Sequence, residues 1–179
     1  MAGEADAAWT IRPRRPDDVP GLCEVLARQQ PVSGYPVEWP LPFPVEGFVV
    51  RDRELRAWTA EAAGRPVGHV GVRSVEDDPA GMAQTWADAA GLALDRLGEI
   101  TALFIDLDQR GRGVGGALLD EAESWIVAQG RVPVLDVARG GGTAAAVYRH
   151  RGWTEVGRAR PPWLPDDLPA VTLMALLPG

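Results

Sequence analysis

Apolar and polar positions along the chain follow two rhythms, and the switches between them lay out the elements. Residues 8–13, "AWTIRP", alternate as a short strand does. Residues 15–30 change to a helical period, with Val19, Leu22, Val25 and Leu26 on one face and Asp17 or Asp18 placed to cap it. Residues 31–44, "PVSGYPVEWPLPFP", carry too much proline for a regular element. Their Tyr35, Trp39 and Phe43 suit either a loop held down by its aromatics or one that lines a substrate site. Residues 55–75 read as two strands joined at Gly64-Arg65-Pro66. The segment 76–98 is acidic and rich in small residues, with a short helix expected inside residues 81–94.

Residues 98–106, "GEITALFID", are almost continuously apolar, as a strand buried on both faces must be. The helical period returns over 113–129, with Val114, Leu118, Ala122, Trp125 and Ile126 inward and Gly130 as the stop. A strand at 132–138 follows. A glycine turn then leads into a short helix within 140–153, ending at Gly152, and strands at 154–160 and 170–177 close the chain. The order β-α-loop-β-β-β-α-β-α-β-β predicts an α/β (α+β) fold: one mixed sheet of six to seven strands flanked by helices. No repeat and no long linker divides it, so residues 1–179 are expected to form a single domain.

Composition narrows the function. A net charge of −7 argues against general nucleic-acid binding, which needs a concentrated basic surface. No apolar run approaches the ~20 residues that cross a bilayer. The acidic start "MAGEADAAWTIRP" has no secretory core segment, and the single cysteine, Cys23, has no partner for an internal disulfide. A cytoplasmic protein, monomeric or homodimeric, free of membrane and nucleic acid, is the expectation. No His/Asp/Glu cluster has metal-ligand spacing, so no metal is expected.

The richest local signal is "DQRGRGVGGALLDEAESW", residues 108–125, where Gly111, Gly113, Gly115 and Gly116 stand between a strand and a helix. First-turn amides of a helix lack partners, and the dipole places about half a positive charge there. Missing Cβ atoms admit phosphate oxygens to those amides, and Arg110 and Arg112 add charge-assisted contacts. A tight turn alone would need only one glycine. The P-loop reading fails because all eighteen basic residues are arginine. A dinucleotide fingerprint matches literally at Gly111, Gly113 and Gly116, with Asp136 where a ribose-binding acid would sit. Against it, "DLDQR" separates strand from glycines, and the chain after Asp136 is too short to complete a doubly wound domain.

The sequence resembles the GCN5-related N-acetyltransferase (GNAT) superfamily. Arg110-Gly111-Arg112-Gly113-Val114-Gly115 fits its Gln/Arg-x-x-Gly-x-Gly/Ala signature, and "AAAVYRHRGW" fits its second motif at Ala144, Tyr148, Gly152 and Trp153. Gly141 departs from the pattern, standing where the family often has asparagine. The resemblance spans nearly the whole chain and implies direct acetyl transfer from acetyl-CoA to a primary amine of a small molecule or peptide. The backbone of Arg112, Gly113, Val114, Gly115 and Gly116 would hold the pyrophosphate, with Arg110 and Gly111 in the same turn. The strand Leu103-Phe104-Ile105 would pair with the pantetheine arm and polarise the thioester carbonyl.

The resemblance also implies Glu99 as the acid that takes the amine proton, commonly through water. A carboxylate part-buried beside apolar residues is expected to have a raised pKa. It gives Tyr148 the role of general acid at the sulfur, a phenol of pKa ~10 facing a thiol of comparable basicity. Asp106 and Asp108 are weaker base candidates, close to the expected phosphates. His69, in "PVGHVGV", reads as a satisfied core residue, His150 as solvent-facing, and Cys23 as lacking the partner a nucleophile needs. The acidic charge leans weakly toward a cationic acceptor. Two rival readings remain: an acyl-CoA sensor of the same fold without turnover, and a dinucleotide-binding oxidoreductase.

Overall fold

Each apolar run becomes an element in the computed structural model, which describes residues 8–138 and 142–179. In chain order these are β1 (Trp9–Pro13), α1 (Val19–Ser33), α2 (Glu46–Val49), β2 (Glu54–Ala62), β3 (Arg65–Arg73), α3 (Ala83–Ala90), β4 (Leu97–Ile105), α4 (Val114–Ala128), β5 (Val132–Val137), α5 (Gly142–His150), β6 (Thr154–Ala159) and β7 (Val171–Ala175). The strands form one seven-stranded sheet in the order β1-β2-β3-β4-β5-β7-β6. All neighbours are antiparallel except β4 and β5, which run parallel because α4 carries the chain back between them.

Two faces of this sheet are filled by different helices. Val114, Leu118, Ala122 and Ile126 of α4 lie on Val70, Val72, Ile100, Leu135 and Val137. On the other face, Leu22, Val25 and Leu26 of α1 cover Ala102 and Phe104, while Trp86 of α3 covers Val134, Val171 and Leu173. A strip of sheet between α1 and α3 therefore has no helix over it, and the candidate site lies there.

Helix α1 differs from expectation at both ends. Asp18 does not cap it by a side-chain bond. Its carboxylate accepts from Arg15 N–H at 2.7 Å, from Arg12 at 2.7 and 2.8 Å, and from the Thr59 hydroxyl at 3.0 Å. Chiefly through Arg12, its pKa falls to about 2. The proline at Pro31 does not stop the helix either, which runs on to Ser33 and ends at left-handed Gly34. Buried Gln29 holds that last turn, donating to the carbonyls of Leu26 at 3.1 Å and Tyr35 at 2.5 Å and accepting from the Ser33 hydroxyl at 2.5 Å.

Strand β4 carries a bulge that the apolar run did not reveal. His69 pairs with Phe104 and Gly71 with Thr101, so Ala102 and Leu103 together stand opposite Val70. Ala102 sits at φ +50°, a left-handed value for a residue with a Cβ. Buried His69 braces it. Its Nδ1–H donates to the Ala102 carbonyl at 2.7 Å, which leaves Nε2 to accept from Arg14 at 3.0 Å, and its ring stacks on Phe104 with centroids 5.5 Å apart. Burial, with Arg14 alongside, depresses the imidazole pKa to about 3. Because the unfolded value is about 6.5, the unfolded chain binds this proton first, and stability falls as pH drops through that window. His69→Phe keeps the stacking and loses both hydrogen bonds. We expect it to destabilise the fold by about 1–3 kcal/mol and to flatten that acid limb, read by thermal unfolding between pH 4 and 8.

Candidate active site

The bulge matters because it lies where β4 and β5 part. Leu97, Gly98 and Glu99 pair with Val132, Pro133 and Val134, and no further pairing between the two strands is seen among the described residues. Beyond Glu99 the sheet opens. Asp106 N–H donates to Val67 of β3 at 2.8 Å. Amide directions alternate along a strand, so the Ile105 and Leu103 amides point away from β3 into the opening, whereas Phe104 pairs with His69 of β3. The structure thus divides the predicted trio Leu103, Phe104 and Ile105. Two offer backbone groups to the gap, and Phe104 anchors the strand, its ring buried under α1.

The predicted glycine turn stands at the mouth of this gap. Asp106 begins it, accepting from Leu107 N–H at 2.9 Å and from Arg28 at 2.5 and 3.0 Å. Burial pushes the Asp106 carboxyl up, but these bonds outweigh it and the net shift is downward. That makes Asp106 a structural tie between α1 and the turn, and removes it from the list of bases. Asp108 and Arg110 are exposed, Arg112 is half-buried, and Gly111 has φ +73°.

Helix α4 starts at Gly113, whose φ of +82° brings the chain into the helix with no side chain capping it. The first-turn amides of Val114, Gly115 and Gly116 are left to other partners. A Cβ built on Gly115 meets nothing within 4 Å, although its backbone is ordinary helix. Neither conformation nor packing inside the protein asks for glycine there. Bare backbone facing open space fits an approaching phosphate. Gly141, the departure from the family motif, lies outside the described residues.

At the other end of the gap is a cavity of about 180 Å³, walled by the 31–44 segment, α2, β4, β5 and Trp163. Glu99 and Asp136 both line it. Glu99 is buried, and its Oε2 accepts from Arg73 Nε at 2.5 Å. Asp136 lies on the same face of β5 as Val132 and Val134, so its carboxyl emerges on the uncovered strip. Burial and then the charge of Glu99 raise its pKa to about 7, against the pull of Arg73 and Arg51. The carboxyl tuned to neutral pH is therefore Asp136, which the sequence had placed only as a possible ribose contact. A clue was available in the sequence, since Asp136 is a lone charge inside "VPVLDVA". Arg51 and Arg73 gave no such signal, since an arginine at the end of an element ordinarily faces water.

Tyr148 of α5 is half-buried edge-on against Trp153, with ring centroids 5.6 Å apart. Burial, then Asp136 and Glu123, push its phenol up to about 12, so it stays protonated and donates. Tyr35 lines the cavity and packs edge-on against Phe48 at 5.5 Å; burial raises its phenol too. The 31–44 segment is thus both things its aromatics allowed, a loop packed on the core cluster under α1 and a wall of the cavity. His69 is satisfied in the core, His150 is exposed, and the half-buried Cys23 thiol is pushed up by burial. No helix among the described residues is long and apolar enough to cross a membrane.

A mixed sheet that splits at its parallel pair, with a glycine helix terminus at one end of the split and an acid-lined cavity at the other, is the architecture of an acyl-CoA N-acyltransferase. The sequence model of the acetyltransferase (GNAT) family matches residues 21–153, and the chain belongs to that family. Among solved structures it resembles a GNAT-family acetyltransferase from Streptococcus pneumoniae, with TM-score 0.69 and 20% identity over 96% of this chain and 100% of that one. It also resembles the ribosomal-protein-S18-alanine N-acetyltransferase of Escherichia coli, with TM-score 0.65 and 18% identity over 94% and 93%. A third likeness is to a spermidine N-acetyltransferase chimera from Vibrio cholerae and hSSAT, with TM-score 0.64 and 16% identity over 94% and 96%. No curated protein matches the chain by sequence.

Proposed function

We propose that the protein transfers an acetyl group from acetyl-CoA directly to a primary amine of a small molecule. The parting of β4 from β5, joining glycine turn to cavity, carries this reading. The Gly115 backbone faces open space, α4 has no capping side chain, and the Leu103 and Ile105 amides point into the gap. These features fit a pyrophosphate held by residues 112–116, with Arg110 and Gly111 alongside, and an extended pantetheine arm against β4. Acetyl-CoA would supply the activated thioester.

The chain's own groups then divide the work. Amides of the opened β4 edge polarise the carbonyl by hydrogen bonding. The Glu99–Asp136 pair accepts the amine proton, with the Asp136 carboxyl raised to about 7 by burial and by the charge of Glu99. Arg73 holds Glu99 in place at 2.5 Å, so the negative charge that raises Asp136 stays fixed. Tyr148 donates a hydrogen bond to the departing sulfur and passes it a proton. A cavity of about 180 Å³ favours a small acceptor over a peptide, being below the ~300–1,000 Å³ of drug-sized pockets.

The test is thiol release from acetyl-CoA across polyamines, aminoglycosides, amino acids and peptide N-termini, beside thermal-shift measurements with acetyl-CoA and NAD(H). We expect release with some small amines and stabilisation by acetyl-CoA. Binding of acetyl-CoA with no release from any amine would favour a sensor, and stabilisation by NAD(H) alone an oxidoreductase. Tyr148→Phe is expected to lower kcat on the order of 10²-fold with little change in KM for acetyl-CoA, measured by steady-state kinetics. An unchanged kcat would remove Tyr148 from the chemistry.

A further inference from the structure

Arg51 is the cavity group that the proposed chemistry leaves unused. Its guanidinium lies in the cavity wall, its carbon 4.1 Å above the Phe48 ring centroid. Stacking covers the face of the guanidinium and leaves its in-plane N–H donors as the polar edge. No side-chain N–H of Arg51 reaches an acceptor among the described residues, and its Nε is buried without a partner. The other arginine of the cavity wall is engaged: Arg73 is tied to Glu99 at 2.5 Å. A buried N–H without an acceptor is costly; Glu99 and Asp136 act on Arg51 only through space, and a carboxylate that arrives with the ligand would give its donors an acceptor.

The rest of the wall describes the remainder of that ligand. Asp136 and Glu99 face the cavity and suit an amine, while Leu41, Phe43, Phe48 and Met82 supply an apolar surface. We propose that the acceptor is a small amino acid with an apolar side chain, its carboxylate held by Arg51 and its amine delivered to the Glu99–Asp136 pair. This rests on the transferase reading above and names its substrate class. Peptides blocked at the carboxyl end and polyamines lack the group that Arg51 requires. The weak lean of the net charge toward a purely cationic acceptor gives way here to the local wall, which carries two arginines.

The experiment compares leucine, methionine and phenylalanine with their amides and with isopentylamine and phenethylamine, by thiol release from acetyl-CoA. We expect kcat/KM for the amino acids to exceed that for the amides by about 30-fold, the effect of one charge-assisted contact with a buried guanidinium. That ratio should collapse toward one in Arg51→Gln and recover in part in Arg51→Lys. Because it is a ratio within each variant, it does not depend on how much protein folds. Amides or plain amines turned over as well as the acids by the wild type, or a ratio that survives Arg51→Gln, would overturn the proposal. Calorimetry with N-acetyl-leucine and N-acetyl-leucinamide reads the same site without turnover. Wild-type binding of the acid alone, lost in Arg51→Gln, supports the carboxylate site even where no amine releases thiol, in which case only the transferase reading fails. Equal binding of acid and amide overturns the site itself.

Discussion

Asp136→Asn is expected to lower kcat/KM by 10²–10⁴-fold, on the order that a general base contributes, while making the protein more stable at alkaline pH. Both effects follow from one cause. Burial and the charge of Glu99 disfavour the Asp136 carboxylate and lift its pKa to about 7. The wild-type rate should therefore climb through pH 7 as the carboxyl ionises, and asparagine should remove that limb. For stability the sign is opposite. Between the unfolded value of about 3.9 and the folded value, the folded protein holds a proton that the unfolded chain has released. Stability then falls as pH rises through this window and levels off above it. Asparagine carries no charge to bury, so Asp136→Asn should lose the decline and melt higher than wild type at pH 8. Rate profiles and thermal unfolding from pH 5 to 9 measure the two arms. A variant whose rate limb persists near pH 7 would move the base role to Glu99 or to water.

Gly115→Ala and Gly115→Leu are expected to separate folding from coenzyme binding. Gly115 lies in the first turn of α4 with ordinary helical backbone, and a Cβ there meets nothing within 4 Å. Alanine should raise stability by up to about 1 kcal/mol, the helix-propensity difference from glycine. The same methyl occupies the space in which phosphate oxygens would reach the first-turn amides. Acetyl-CoA affinity should fall at least about 10-fold for alanine and further for leucine, since phosphate contacts made at a helix terminus act only at hydrogen-bond distance. Gly113 cannot make this separation, because its φ of +82° penalises any side chain whatever binds there. Calorimetry with acetyl-CoA beside thermal unfolding gives both numbers. Unchanged affinity in Gly115→Leu would place the pyrophosphate elsewhere.

Much of this architecture is visible in local pattern. Strand and helix positions follow from the period of apolar residues, and the glycine turn is visible because four glycines exceed what a turn needs. The family resemblance draws attention to Tyr148 and Glu99, and the structure puts Glu99 in the cavity wall and Tyr148 edge-on against Trp153. The misjudged places were those where side chains distant in sequence overrule the local signal. Pro31 looks like a stop, but Gln29 and Ser33 hold the last turn of α1. Asp18 looks like a cap, but Arg12 and Thr59 claim its carboxylate.

The sequence by itself determined the seven strands, the helices other than α2, their order and the glycine turn, because periodicity and backbone freedom are properties of neighbouring residues. Only the tertiary structure decided which carboxyl is tuned and which cation waits for a ligand. Asp136 acquires its shift from Glu99, which is held by Arg73, and these come from β5, β4 and β3. Arg51 gains its meaning from Phe48 beneath it and from Arg73 being already paired. The bulge at Ala102, which turns the Leu103 and Ile105 amides into the gap, is held by His69 from the neighbouring strand. Electrostatic tuning and cavity shape arise from what burial brings together, and that proximity exists only once the sheet has formed.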